Sequence, residues 1–215
     1  IKNYGADAVR LFILSDSPPE KDVQWSDQGM LASFKFVQKL WLLHLKILKK
    51  IKMDENTSEG NHLSKFTNQL VNKITQNLEK FNYNVIVANL YEMYNFLIKE
   101  IDKPIKRDTL INDYTKILIL MCPLIPHFAN ECLKDIKTSP TNWPTVSDDM
   151  LVEDNINFVI QINGKKRALI VASRNIDEKN LLEIFKNNKE TKKFFKDQKI
   201  KKTIFVSNRL INIIL

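Results

Sequence analysis

Glycine is scarce in this chain, with four in 215 residues at positions 5, 29, 60 and 164. That scatter excludes a Gly-rich loop that could cradle the phosphates of a nucleotide. Histidine is scarcer still, and His44, His62 and His127 share no spacing that suggests a metal centre. The two cysteines, Cys122 and Cys132, stand ten apart without a CxxC or a nearby His pair. They read as buried thiols in a reducing compartment, in preference to a disulfide or zinc framework. No apolar run approaches the roughly 18 residues of a membrane span, and no signal or transit peptide is expected. No Ser, Cys or Lys nucleophile sits in a recognisable elbow or beside a base. Taken by itself, the chain does not read as catalytic, and no cofactor is expected within it.

What the chain does have is lysine. Lys and Arg number 33 against 25 Asp and Glu, a formal charge of +8. Residues 154–215 hold 14 basic against 6 acidic side chains, and residues 1–153 hold 19 of each. The whole excess therefore lies in the last 62 residues. A basic module attached to a neutral body points to a polyanionic partner, with a merely solvated lysine surface as the alternative.

Periodicity divides the chain in the same place. In "IKNYGADAVRLFILSD" the apolar residues crowd a short helix, which "SDSPPEK" ends because its prolines remove donors. Ser26 reads as the N-cap of a long amphipathic helix reaching about Lys52, with Trp25 and Met30 as a hydrophobic staple. Further helices are expected over Leu63–Glu79, Val85–Ile101, Thr109–Met121 with Asp108 as cap, and His127–Asp135. These make a bundle over residues 26–137, entered through a joining segment, 1–25. "KTSPTNWPTVSDD" reads as a linker over 138–153. Beyond it the period falls to two. "INFVIQINGKKRALIVAS" is a hairpin turning at Asn163-Gly164. Asp177 caps a helix to about Asn187, a second short helix ends near Asp197, and two more strands turn at Ser207-Asn208. The fold class expected is mainly α: a helical bundle, then a small α+β domain of ββααββ order over 154–215.

Two basic constellations are candidates for contact with a polyanion. Lys35, Lys39, Lys46 and Lys50 recur at offsets of 0, 4, 11 and 15, within roughly 60° of one another on a helix. Such a stripe can track a phosphate backbone, although a solvated face explains it equally well. In the basic domain, Lys165, Lys166 and Arg167 follow the hairpin turn, Lys199, Lys201 and Lys202 open the third strand, and Arg209 opens the fourth. Strict alternation places Lys165 and Arg167 on one face and Lys166 on the other. Phe194, Phe195 and Phe205 lie nearby and read first as core. A small basic sheet without a base-reading signature suits backbone and shape recognition of folded RNA. Asp7 and Arg10, at i and i+3, read as a local ion pair, and His127 as a structural residue bonding to backbone at a helix start.

Particular segments resemble a known family. "YGADAVRLF" resembles the segment after the second ATP-binding signature, the KMSKS loop, of class I aminoacyl-tRNA synthetases. "SPPEKDVQWSDQG" followed by "FKFVQKLW", then "PLIPHFANECL", "NWPTVSDDMLVEDNINFVIQINGKKRA" and "KKTIFVSNRLINIIL", are similar to bacterial-type leucyl-tRNA synthetases, in order and over the whole chain. The resemblance implies a parent enzyme that attaches leucine to tRNA(Leu) through leucyl-adenylate, using ATP and Mg2+, and that also hydrolyses mischarged products. Those catalytic and editing parts are absent here, since there is no HIGH-type motif and no KMSKS; a KMSKS-like loop is expected shortly upstream of Ile1. What remains corresponds to the helical domain called anticodon-binding, which in this family does not read the anticodon, and the appended C-terminal domain. The tRNA is then recognised mainly through its elbow and long variable arm, with Lys35 and Lys39 on the tRNA body and Lys165, Arg167, Lys201 and Lys202 on the C-terminal surface. Lys166 stands where the family often has an apolar residue. A monomer in the bacterial cytoplasm follows, or in the mitochondrial matrix, with no membrane partner. The rivals are the same region of a methionyl- or valyl-type enzyme that reads the anticodon, and a non-enzymatic protein-interaction module.

Overall fold

Ser26 starts the longest element of the chain. Its hydroxyl accepts the Gly29 N–H at 3.1 Å, and the helix α2 runs from Asp27 to Met53. The computed structural model describes residues 1–16, 18, 20–53, 61–139, 142–146, 148–151, 155–188 and 200–214. The unit that contains α2 also holds α1 (Ala6–Asp16), α3 (Asn61–Glu79), α4 (Tyr83–Glu100), α5 (Arg107–Met121), α6 (Pro126–Asp135) and the four-residue α7 (Asp148–Leu151). After these come β1 (Asn155–Ile162), β2 (Lys165–Ser173), α8 (Glu178–Asn187), β3 (Lys202–Val206) and β4 (Leu210–Ile214). The chain divides into two compact units, Ile1–Leu151 and Val152–Leu215.

The first unit is a helical bundle, the fold class expected, and it includes α1 and α7 as well. Leu40, Leu43 and Ile47 of α2 share one core with Leu70 and Ile74 of α3, Leu90 and Met93 of α4, and Ile117 and Leu118 of α5. The three-and-four spacing of these residues gives each helix one apolar stripe, and burying those stripes against one another is what holds the helices together. Pro126 occupies the first turn of α6, where its missing N–H costs nothing. Trp25 meets the Phe12 ring edge-on at 5.2 Å, and Met30 is buried beside the same ring with Ala8. The stretch read as a linker carries α7, and within it Trp143 donates from Nε1 to the Thr75 hydroxyl at 2.8 Å. One cap differs from expectation. The residue before α5 is Lys106, without a side-chain cap bond, and Asp108 lies inside the first turn. There its charge acts on the helix dipole and not on an orphan N–H.

The second unit is a four-stranded sheet of order β2-β1-β4-β3. Asn163 and Gly164 both have positive φ, 49° and 76°, the geometry of a two-residue hairpin turn, which glycine adopts without strain. Asp177 caps α8 by accepting the Asn180 N–H at 2.8 Å. Leu181 and Phe185 of α8 bury the sheet face formed by Phe158, Ile160, Ile170, Ile211 and Ile213. The unit is ββαββ among the described residues; the second short helix of the expected order lies outside them. The central pairing of β1 with β4 is parallel, flanked by the antiparallel pairs β1–β2 and β3–β4.

Candidate nucleic-acid interface

The strand register decides which basic residues meet. Lys165 pairs with Ile162, Ile162 with Ile213, and Lys202 with Ile214. The start of β2, the end of β1, the end of β4 and the start of β3 therefore lie at one end of the sheet. This brings Lys165, Lys166, Arg167, Lys201 and Lys202 to a common end, all of them exposed. Backbone bonds tie that end together: Asn163 N–H to Ile213 O at 2.9 Å and Lys201 N–H to Ile214 O at 2.8 Å. The Asn212 side chain also accepts the Gly164 N–H at 3.0 Å. Arg209 is not with them. It lies in the turn between β3 and β4, where its N–H reaches Val206 O at 3.1 Å. At about 3.3 Å per residue along a strand, that is roughly 15 Å from the Lys202 end. Arg174, just past β2, lies at the Arg209 end, where Asn175 and Asn208 bond reciprocally across the gap. Nothing in the local sequence marks Arg174; only the register places it. Lys199 lies outside the described residues, as do Phe194 and Phe195. Phe205 is half-buried and packs against the sheet core, stacked on Phe158.

The alternation expected for the β2 cations fails. Gln161 pairs with Lys166 while the preceding Ile160 pairs with Ala168. Arg167 is the extra residue of a β-bulge, so Lys166 and Arg167 oppose Gln161 together and the period of two is broken between them. Beyond the bulge Leu169 and Val171 are exposed, as are Ile204 and Val206 on β3, on the face that α8 does not cover.

On the bundle, Lys35, Lys39 and Lys46 project to solvent from one side of α2. Lys50, the fourth of the stripe, donates to the Lys103 carbonyl at 2.7 Å. It ties α2 to the turn after α4. The same exposed side of α2 carries Leu42 and Leu45, so the stripe is mixed, not purely basic.

The anticodon-binding domain of tRNA ligase matches residues 61–200 of this chain. The chain belongs to that family. It is 36% identical over 220 residues to a leucine–tRNA ligase of Wolbachia sp. subsp. Drosophila simulans (strain wRi), covering all of this chain and 25% of the relative. It is 35% identical over 223 residues to that of Orientia tsutsugamushi (strain Boryong), covering all of this chain and 26% of the relative. The chain thus spans about a quarter of the length of the curated relatives it matches. Its fold is similar to that of a LeuRS of Agrobacterium radiobacter K84, solved as a ternary complex with tRNA and LeuAMS. That similarity has a TM-score of 0.78 at 22% identity and covers 99% of this chain and 29% of that one. The resemblance to leucyl-tRNA synthetases read from the sequence is borne out.

Two side-chain networks hold the anticodon-binding-type bundle in shape, and neither was legible in advance. Asp7 and Arg10 are not paired with each other. Arg10 donates to the carbonyls of Leu124 (3.0 Å) and Pro123 (2.7 Å) past the end of α5. Asp7 accepts the Phe128 N–H at 2.6 Å and the His127 ring Nδ1 at 2.8 Å at the start of α6. One turn of α1 therefore holds the turn after α5 by two of its carbonyls and satisfies orphan N–H groups at the start of α6. His127 is structural as expected, but its ring bonds to a carboxylate and not to backbone. In the second network, His44 is fully buried with Nδ1 3.0 Å from the Tyr114 hydroxyl and Nε2 3.2 Å from Asp135. A neutral ring protonated on Nε2 satisfies both partners. Burial lowers the His44 pKa, against the opposing pull of Asp135. Burial also pushes Tyr114 well up, and the Cys132 thiol to about 12. Both thiols are free, and neither has the lowered pKa of a reactive cysteine.

Proposed function

We propose that this chain is the tRNA-holding part of a leucine–tRNA ligase, positioning tRNA(Leu) for ATP-dependent attachment of leucine. The observation that carries the reading is the convergence of Lys165, Lys166, Arg167, Lys201 and Lys202 on one end of a small sheet. Five cations within a few residues of one another suit a phosphate backbone bent around a corner, and the elbow of tRNA, with the root of its long variable arm, is such a corner. Lys35, Lys39 and Lys46 then line the tRNA body. The domain division that goes with this is a bundle over 26–137, a connecting segment over 138–153 and a basic tRNA-binding domain over 154–215. The ligase works as a monomer in the bacterial cytoplasm; no helix among the described residues is long and apolar enough to cross a membrane. ATP and Mg2+ belong to the rest of the ligase. Among the described residues, no group of three or more His, Cys, Asp or Glu could hold a metal.

The test is binding of the purified chain to tRNA as salt is raised. With about five phosphates neutralised, affinity falls about five-hundredfold between 50 and 200 mM salt. Changing Lys201 and Lys202 to Gln weakens binding more than changing the equally exposed Lys49 and Lys52. Equal effects of the two pairs mean that bulk charge alone is felt and overturn the assignment.

A further inference from the structure

Of the four glycines only Gly164 follows an asparagine. An Asn-Gly pair can modify itself, because glycine has no side chain to shield its backbone nitrogen from the neighbouring carboxamide. Nothing stands within 4 Å of where a Gly164 Cβ would lie, and both residues are exposed, so packing gives the pair no protection. Lys165 and Lys166 follow at once, also exposed, and their charge favours the anionic form of the Gly164 nitrogen. What holds the pair is hydrogen bonding. Gly164 donates its N–H to the Asn212 side-chain oxygen, 48 residues on, at 3.0 Å. Asn163 donates its own N–H to Ile213 O at 2.9 Å. Both acceptors belong to β4, so a distant strand clamps this turn. Ile211 and Ile213 are fully buried, and alternation turns Asn212 between them away from the core. Its contact with Gly164 is therefore not a by-product of core packing.

We propose that Asn163-Gly164 is a deamidation site and that Asn212 is the residue that holds it in check. In the reaction the Gly164 nitrogen gives its proton to solvent and attacks Cγ of Asn163. A C–N bond forms, the C–NH2 bond breaks, and ammonia leaves with a proton taken from solvent, closing a five-membered succinimide. Water then opens the ring. Attack at Cγ gives Asp, and attack at the α-carbonyl gives isoaspartate, with an extra methylene in the backbone. No oxidant, reductant or cofactor takes part. While Gly164 donates to Asn212, its nitrogen keeps its proton, and the two bonds to β4 fix the peptide plane between Asn163 and Gly164. That plane has to turn toward the Asn163 carboxamide before attack. The product sets a carboxylate beside Lys165, Lys166 and Arg167. Its effect on RNA binding rests on the reading that these cations hold tRNA; the chemistry does not.

Peptide mapping by mass spectrometry tests it, on the purified chain aged in mildly alkaline buffer, with Asp and isoaspartate at position 163 counted separately. Deamidation is expected to be at least about tenfold slower in the folded chain than in a synthetic peptide of residues 161–167, since two hydrogen bonds open first. Asn212→Leu speeds it about fivefold, the weight of one neutral hydrogen bond. Asn212→Asp still offers Gly164 an oxygen and keeps the slow rate. Ile170→Val, which loosens the core of the same unit, controls for lost stability and stays slow as well. A folded chain that deamidates at the peptide's rate overturns the proposal, and that comparison needs no variant. An Asn212→Leu rate no faster than that of the unaltered chain, or matched by Ile170→Val, overturns it too. Deamidated chain, separated by cation exchange, is expected to bind tRNA more weakly than fresh chain, and equal binding overturns the consequence for RNA. A fresh chain that fails to bind tRNA sinks the functional reading and leaves the mapping result intact.

Discussion

Replacing Asp7 with Ala isolates the bond between α1 and the α5–α6 corner. The carboxylate is only 8% exposed and takes the Phe128 N–H at 2.6 Å and the His127 ring at 2.8 Å. Alanine leaves a buried N–H at the start of α6 without an acceptor. A hydrogen bond to a charged group contributes about 1.5–3 kcal/mol, and losing a helix cap costs about 1 kcal/mol. These describe overlapping parts of one interaction, so the expected loss is about 2–3 kcal/mol. With a urea slope of about 2 kcal/mol/M, the midpoint falls by about 1 M. Tryptophan fluorescence reads this unit alone, because Trp25, Trp41 and Trp143 all lie within Ile1–Leu151. Asp7→Asn keeps an acceptor of the same shape and is expected to lose about half as much. Asp108→Ala, which removes an acid from the first turn of α5 where no side chain caps the helix, serves as the control at under about 0.5 kcal/mol. If Asp7→Ala moves the midpoint no more than Asp108→Ala, the reasoning about the corner is wrong.

Other expectations concern separate parts of the molecule. Gly29→Ala destabilises the first unit by about 1–3 kcal/mol despite alanine's better helix propensity. Its Cβ would stand 2.8 Å from the Phe12 ring, which Trp25, Ala8 and Met30 hold in place; differential scanning calorimetry reads the loss. Phe185→Ala removes the fully buried anchor of α8 and costs the second unit about 3–5 kcal/mol. Hydrogen exchange in β1 and β4 rises while the tryptophan transition stays put. His44 is held below its usual value of 6.5 by burial, so the unfolded chain takes up a proton before the folded one does. Bundle stability therefore falls as pH drops through 6.5 and levels off once pH passes below the folded-state value. Urea midpoints at pH 8 and pH 5.5 measure the difference, and His44→Gln flattens it.

The parts legible in the sequence were those encoded within a few residues. Ser26 and Asp177 cap their helices by bonds to the third residue on, and Asn163-Gly164 turns a hairpin because the next residues pair back at once. Such signals need no knowledge of the rest of the chain. The parts that were not legible depend on distant partners. Asp7 and Arg10 sit at the spacing of a local ion pair, yet each bonds more than 110 residues away, where the turn after α5 and the start of α6 offer better-oriented groups. Lys50 resembles its stripe-mates until the Lys103 carbonyl is brought beside it. The parallel pairing of β1 with β4 joins strands some 50 residues apart. Without it, the five cations cannot be seen to share one end of the sheet, nor Arg209 to stand apart from them.

The most direct test of the central claim is competition between two tRNAs for this chain at one salt concentration. One carries a long variable arm, and the other is matched in length elsewhere but lacks that arm. The account predicts tighter binding of the long-armed tRNA, with the preference lost when Lys165, Lys166, Arg167, Lys201 and Lys202 are changed to Gln. Equal binding of the two tRNAs, or a preference that survives the five substitutions, contradicts it.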